Sequence, residues 1–333
     1  MREPRFWARD VDPRSREAAP LLRFLLTPFA WIYAEATHRR IAKADPLKVR
    51  STVICVGNLT AGGVGKSPIV SALRDHFNQT TKLRVATLSR GYKGKLKGPL
   101  KVEPALHTAE DVGDEPVMLA QSGETWIGVD RAATGQKMSN DGVDIIIMDD
   151  GHQNPSLHKD LSLVVVDASA GFGNGHVIPK GPLREPVREG LSRADVVVVM
   201  GYGTPPNEIE QSGLPVFGAV VAASQTPPEQ PYVAFAGIGR PEKFFDTLRA
   251  MEVDVRDAVP FPDHHKFSSG DLNYLNRLAA DNGATLITTE KDLARLAPAQ
   301  REGIVALPVE VIFDRRPDLD KMLADVIKPD AHD

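Results

Sequence analysis

The chain predicts an α/β fold: a mostly parallel sheet with helices on both faces. Three observations carry this. Short β-branched runs recur at Val53–Val56, Val85–Leu88, Ile145–Met148, Leu163–Val166, Val196–Val199 and Leu286–Ile287, too uniformly apolar for strands with one wet face. Segments with helical spacing lie between them, the alternation of a βαβ chain. At 333 residues the chain is long enough to bury a sizeable core and to divide. A proline cluster (Pro205, Pro206, Pro215, Pro227, Pro228, Pro231) marks one division. The expected organisation is an N-terminal helical segment at 1–45, a principal domain at 46–225 and a smaller α/β lobe at 226–333.

A net charge of −4 argues against a general nucleic-acid binder, which would carry a strongly basic balance. The single cysteine, Cys55, falls inside a predicted strand. It cannot form an intramolecular disulfide, so a reducing cytoplasm is the easier compartment, and a small buried apolar role suits it. The first twenty residues are charged and proline-bearing, with no apolar run at the start, so no cleavable signal peptide is expected.

Leu21 to Tyr33 is strongly apolar and aromatic, interrupted by Arg23 and Pro28. It is too short for a spanning helix of about 20 apolar residues. Arg14 and Arg16 precede it, and His38, Arg39, Arg40 and Lys43 follow. With Trp31 and Tyr33 suited to the headgroup level, an interfacial helix on an anionic membrane fits. A core helix with a solvated basic end fits the same pattern.

The next stretch organises the chain. Val53–Val56 runs into Gly57-Asn58-Leu59-Thr60-Ala61-Gly62-Gly63-Val64-Gly65-Lys66-Ser67-Pro68, and helical spacing resumes at Ile69, Val70 and Leu73. Strand, glycine-rich turn and helix are what a phosphate-binding loop requires. Glycines let backbone N–H groups converge on an anion, and the helix aims its positive end at the same point. Residues Thr60 to Ser67 would cradle a nucleotide. Lys66 would reach its β- and γ-phosphates, and Ser67 would ligate Mg²⁺. Thr60 stands where the usual pattern has its first glycine, yet the GGxGKS core is specific in this context. The chain is expected to handle a nucleoside triphosphate on a P-loop NTPase-like sheet.

A second strand ends at Arg90-Gly91-Tyr92-Lys93-Gly94, a place where α/β sheets put ligand contacts. Arg90 could pair bidentately with a phosphate or be a solvated charge. Asp111-Val112-Gly113-Asp114-Glu115-Pro116 precedes a helical pattern, where carboxylates often serve as N-terminal caps. Asp144-Ile145-Ile146-Ile147-Met148-Asp149-Asp150 is an apolar strand ending in paired aspartates, the form of a Walker B segment whose carboxylate holds Mg²⁺ directly or through water. The long Gly- and Pro-rich loop from Ala168 to Arg188 is of the length that is functional or joins domains. In the C-terminal lobe, Asp263-His264-His265 lacks the spacing of a common zinc site. A histidine there could tune a catalytic carboxylate across the lobe interface or be a solvated loop residue.

In this order the pieces resemble the tetraacyldisaccharide 4′-kinase family. The motifs are GNLTAGGVGKSP at 57–68, LSRGYKG at 88–94, DVGDEPVMLA at 111–120, IIMDDGHQN at 146–154, GNGHVIPKGPLREP at 173–186, FAGIGRP at 235–241, PDHHKFS at 262–268 and TTEKDLARL at 288–296. One segment departs: the family often has Phe-Gln-His after DDG, whereas this chain has His152-Gln153-Asn154. The resemblance implies transfer of the ATP γ-phosphate to the 4′-hydroxyl of a tetraacylated glucosamine disaccharide 1-phosphate, a step of lipid A synthesis on the cytoplasmic face of the inner membrane. It implies Asp114 as the base for the sugar hydroxyl, supported by His264, with Lys66 on the phosphates. Ser67 and Asp149 would hold Mg²⁺, with Asp150 and Glu115 near it, and Arg90 and Asn58 would belong to the substrate site. An acyl-chain substrate leaves its bilayer at a cost of about 0.8 kcal/mol per exposed CH₂, so such an enzyme must go to the membrane.

Two other readings share the phosphate loop. A small-molecule kinase acting on soluble substrates would leave the apolar N-terminal helix without a purpose. A membrane-associated ATPase or GTPase switch would call for features missing here. Ala61 stands where partitioning ATPases carry a lysine, and Thr289-Glu290-Lys291-Asp292 only superficially suggests a guanine-reading NKxD motif. Oligomeric state is left open.

Overall fold

Strand β1 (Thr52–Gly57) lies in the interior of the large sheet, buried along its whole length because both faces of this apolar run are covered. The computed structural model describes residues 4–12, 15–263 and 265–327. Helix α1 (Pro20–Ala42) precedes β1, and α2 (Lys66–Thr80) follows it. The large sheet continues through β2 (Val85–Ser89), β3 (Leu100–Lys101), β4 (Thr125–Ile127), β5 (Ile145–Asp149), β6 (Leu161–Asp167), β7 (Val196–Met200) and β8 (Val216–Ala223). A smaller sheet holds β9 (Tyr232–Ala236), β10 (Val255–Pro260), β11 (Thr285–Thr289) and β12 (Ile304–Leu307), and β13 (Val309–Phe313) returns to the large one. Among the described residues the orders are β13-β8-β7-β6-β1-β5-β2-β4-β3 and β10-β9-β11-β12.

From β4 to β8 the large sheet is parallel, and antiparallel pairs (β3 with β4, β13 with β8) close its ends. Side chains alternate across the sheet. Ile54 and Val56 join Ile69, Leu73 and Phe77 of α2 on one face, while Val53 and Cys55 join Leu88, Met138 and Met148 on the other. Cys55 is fully buried, and burial pushes its thiol above the ordinary range. The parallel arrangement brings the C-terminal ends of β1, β2, β5 and β6 to one edge, where such sheets bind ligands.

The C-terminal boundary differs from expectation. Residues 232–307 form the small sheet and its helices, but β13 pairs antiparallel with β8, and the helix Arg316–Val326 places Leu319 and Leu323 in the core of the large sheet. The physical reason is the edge of β8, whose unpaired N–H and C=O groups gain partners from the returning chain. The segment 309–326 therefore belongs structurally with the large sheet rather than with the lobe expected over 226–333.

Helix α1 is longer than the apolar stretch that predicts it, and it is not a core helix. Its buried residues are Ala30 and Thr37 alone, while Leu21, Phe24, Leu25, Phe29, Trp31 and Ile32 are exposed. Among the described residues, no helix is long and apolar enough to cross a membrane.

Candidate active site

The loop after β1 folds as a phosphate cradle because its backbone can reverse where side chains would forbid it. Gly65 sits at φ +86° as the residue capping α2, a conformation L side chains rarely adopt, and it turns the chain so that Lys66 and Ser67 open the helix. Thr60 needs no such freedom. It is buried in an antiparallel bridge with Leu183, and the Ala61 amide donates to the Pro182 carbonyl. The long loop at 168–188 thus braces the cradle from outside, which accounts for a non-glycine at this position.

Lys66 is largely buried and already engaged. Its Nζ donates to Asn58 Oδ1 at 3.1 Å and lies 3.3 Å from Asp150 Oδ1. Asn58 itself is fully buried, with Nδ2 donating to the Thr60 carbonyl at 2.7 Å. Asn58 thus ties the cradle to its lysine, at the place where the resemblance puts a substrate contact.

The two aspartates closing β5 have opposite environments. Asp150, in a left-handed conformation at φ +51°, meets Lys66 and accepts from Arg184 Nη1 at 2.8 Å. Burial pushes its carboxyl up, but these two cations outweigh that and hold it below the usual range. Asp149 is buried with Oδ1 lacking any hydrogen-bond partner, and burial first, then the Glu115 charge, pushes it up to about 7. A buried carboxylate without a donor is costly, and it fits a cation. Mg²⁺ takes one or two carboxylates and shares the rest of its shell with phosphates and water. The donors assembled here have that chemistry, although among the described residues no cluster of three or more His, Cys, Asp or Glu side chains could cage an ion unaided.

Asp114 and Glu115 open helix α4 (Asp114–Ser122), which follows the short α3 (Ala109–Val112). Capping is done one turn earlier, by the reciprocal Thr108–Asp111 box of α3. Asp114 and Glu115 instead receive cations from the small lobe. Arg295 Nε donates to Asp114 Oδ2 at 3.0 Å, and Lys291 Nζ to Glu115 Oε1 at 3.2 Å. Arg295 is itself nearly buried and bonds Asp292 and the Gly237 carbonyl. A third interlobe contact joins Arg240 Nη1 to Asp167 Oδ2 at 3.3 Å, at the end of β6.

Arg90 is exposed at the end of β2, and its charge is felt by the buried Arg131, whose guanidinium burial draws down to about 10. Ser67 is buried at the second position of α2. His264 lies outside the described residues. Its neighbour His265 pairs with Asp271 at 3.1 Å and packs on Phe261 and Phe267. His152, at the departing position after DDG, is buried with Nε2 against the Gly190 carbonyl. Burial and then Lys159 draw it down to about 4, so it fills the site as a neutral ring. Gln153 donates to the Asn58 carbonyl and to Glu185.

Arg184, Glu185, Gln153, Arg131, Lys291 and Arg295 escaped the reading of individual residues. Arg184 and Glu185 sit inside the GPLREP segment, and Lys291 and Arg295 share a helix face at i, i+4 spacing within TTEKDLARL. Arg131 carries no local signal.

Comparison with known proteins gives this geometry a family. The Tetraacyldisaccharide-1-P 4′-kinase family matches residues 22–328. A tetraacyldisaccharide 4′-kinase of Hyphomonas neptunium is 55% identical over 328 residues, covering 98% of each chain. One of Maricaulis maris is 48% identical, covering 99% of this chain and 98% of the other. A solved structure, LpxK from Aquifex aeolicus in complex with ATP, is 28% identical and superposes with a TM-score of 0.74 over 92% of this chain and all of that one. A family model matching nearly the whole chain and relatives about half identical along their full length leave one conclusion: the chain belongs to the tetraacyldisaccharide-1-P 4′-kinase family.

Proposed function

We propose that this chain transfers the γ-phosphoryl group of ATP to the 4′-hydroxyl of a tetraacyldisaccharide 1-phosphate, with Lys66, Asp114 and the Asp149–Asp150 pair as its working parts. Family membership supplies the reaction. The observation that carries the residue roles is the meeting, on one edge of the sheet, of the cradle with Lys66, the unpartnered Asp149 carboxylate and the acidic start of α4.

Phosphoryl transfer needs positioning and charge neutralisation more than covalent chemistry. The amides from Gly62 to Ser67 and the Lys66 ammonium would hold the β- and γ-phosphates, with Thr60 and Ala61 bracing the start of the loop. Ser67 and Asp149 would hold Mg²⁺, with Asp150 and Glu115 beside it, and the ion would neutralise charge on the phosphates. Arg184 keeps Asp150 ionised, and an incoming triphosphate would compete with Asp150 for Lys66. Asp114 would accept the proton of the sugar hydroxyl, which is a poor nucleophile until that proton has somewhere to go. Its ion pair with Arg295 fixes its orientation from the small lobe. His264 would support it. Arg90 would meet a phosphate of the lipid.

The exposed apolar side of α1 supports docking on an anionic bilayer as a peripheral contact at the cytoplasmic face of the inner membrane. Leu21, Leu25, Phe29 and Ile32 follow i, i+4 and i+3 steps along one side, and Arg39, Arg40 and Lys43 follow at the basic end. Incubation with γ-labelled ATP and the lipid disaccharide tests the reaction. Label entering lipid supports a kinase, whereas lipid-independent hydrolysis supports a nucleotide switch.

A further inference from the structure

The P-loop helix carries a cation that the chemistry above does not use. Arg74, on α2, has no exposed surface, and burial draws its guanidinium below the ordinary range. Its nearest carboxylate, Asp75, is half exposed and 3.9 Å away. The partners it does have belong to another helix. Nη1 donates to the Leu119 carbonyl at 2.8 Å and Nη2 to Ser122 Oγ, both at the C-terminal end of α4. Cations are favoured there by the helix dipole. Leu119 shares one apolar core with Ile69, Val70, Leu73 and Phe77 of α2, and Arg74 beside it has no exposed surface. Burying a cation against neutral acceptors is expensive, and the same packing could be made by an apolar side chain. What an apolar residue could not do is fix the register of α4 along α2.

That register sets the site. Arg74 lies eight residues after Lys66, and Ser122 lies eight residues after Asp114. At about 1.5 Å per residue each arm spans roughly 12 Å. The Arg74 contacts, with Ser122 at that distance and with the Leu119 carbonyl five residues after Asp114, tie the helix that opens on the acidic pair to the helix that opens on the phosphate lysine. The closure of α4 fits the pin. A Cβ on Gly123 would stand 2.6 Å from Arg74 Nε and 2.8 Å from its Cζ, and the buried guanidinium has nowhere to swing. Gly123 itself is in extended backbone at φ 174° that any residue adopts, so the guanidinium is the reason for a glycine here.

We propose that Arg74 is a positioning residue for phosphoryl transfer, holding α4, and with it Asp114 and Glu115, in register with the nucleotide-binding start of α2. This rests on the reading of Asp114 as the base. A 1 Å misplacement of a reacting group can cost about a hundredfold, so slippage of α4 lowers turnover without touching nucleotide contacts.

Arg74→Met and Gly123→Ala test it, each compared with wild type for kcat, for KM of ATP and lipid, and for ATP affinity, and each repeated in an Asp114→Asn background. Arg74→Met is expected to lower kcat tenfold or more with ATP affinity within twofold of wild type, and to add nothing to the residual turnover of Asp114→Asn. Gly123→Ala is expected to give the same signature, and Arg74→Lys, which keeps one donor on the carbonyl, to recover part of the loss. Should Arg74→Met fail to fold, Gly123→Ala and Arg74→Lys carry the test. Unchanged kcat in the folded variants overturns the proposal, as does a loss that multiplies with that of Asp114→Asn or that tracks weakened ATP binding. Near-normal turnover of Asp114→Asn alone would instead remove the base and leave the effect of Arg74 to be read on its own.

Discussion

Asp149→Asn exposes the tension between stability and chemistry at this site. The carboxyl titrates near 7 in the fold against an ordinary 3.8, first because it is buried and then because Glu115 faces it. A raised native value means the folded state holds a proton that the unfolded chain releases. The associated stability is fully present below the unfolded value near 3.8 and is lost as pH rises through about 7. Three units at 1.36 kcal/mol each set a ceiling of about 4 kcal/mol for the penalty above neutrality. The carboxamide escapes that penalty but buries amide donors, at a cost of about 1–3 kcal/mol, leaving a net gain of roughly 1–3 kcal/mol. With unfolding entropy near 2 cal/mol/K per residue, each kcal/mol moves the melting point of a chain this long by about 1.5 °C. Thermal melts in chelator are therefore expected to place the variant about 2–4 °C above wild type at pH 8.5, with the gap closing at pH 5.5. Mg·ATP should raise the wild-type melting point and raise that of the variant much less, with turnover lost. A variant less stable than wild type at pH 8.5, or equally stabilised by Mg·ATP, refutes the reasoning.

Asp114→Ala is expected to lose turnover by about 10²–10⁴-fold, the usual contribution of a general base, while ATP binding measured by calorimetry persists. Near-normal turnover removes Asp114 as the base. Lys66→Met should weaken ATP binding by tenfold or more and leave the fold intact, since Asp150 retains Arg184 at 2.8 Å; retained affinity contradicts the cradle. Replacing Leu25, Phe29 and Ile32 together by glutamate forfeits roughly 1.5–3 kcal/mol for each fully buried side chain. It should abolish co-sedimentation with anionic vesicles while sparing the melting point, because all three are solvent-exposed in the fold. Undiminished sedimentation places the membrane contact elsewhere.

The legible parts of the molecule were those whose signal is local. A β-branched run before GGxGKS fixes strand, cradle and helix start within one short window, and the aspartates after Ile145–Met148 announce a strand end at the same edge. The illegible parts depend on chain that is distant in sequence. Strands β3, β10 and β12 have little buried surface and no sustained alternation, β8 alternates only over its first half, and β13 declares itself only through its pairing with β8. Asn58 reads as a polar loop residue available to ligand, and only the packing of the 181–186 segment over the cradle shows it buried. Nothing local to Arg295 and Lys291 names their partners on α4, which only the docked small lobe supplies. Helix α1 reads equally as core or interface, because an apolar stretch does not say whether protein will cover it; in the fold, protein leaves most of it bare.

Transfer of γ-labelled phosphate from ATP to the tetraacylated disaccharide, followed side by side for wild type, Lys66→Met and Asp114→Asn, addresses the chemistry most directly. Label is expected in the lipid with wild type alone, while Asp114→Asn still binds ATP and Lys66→Met does not. Label released as free phosphate at the same rate with and without lipid, or entering lipid undiminished in either variant, would contradict it.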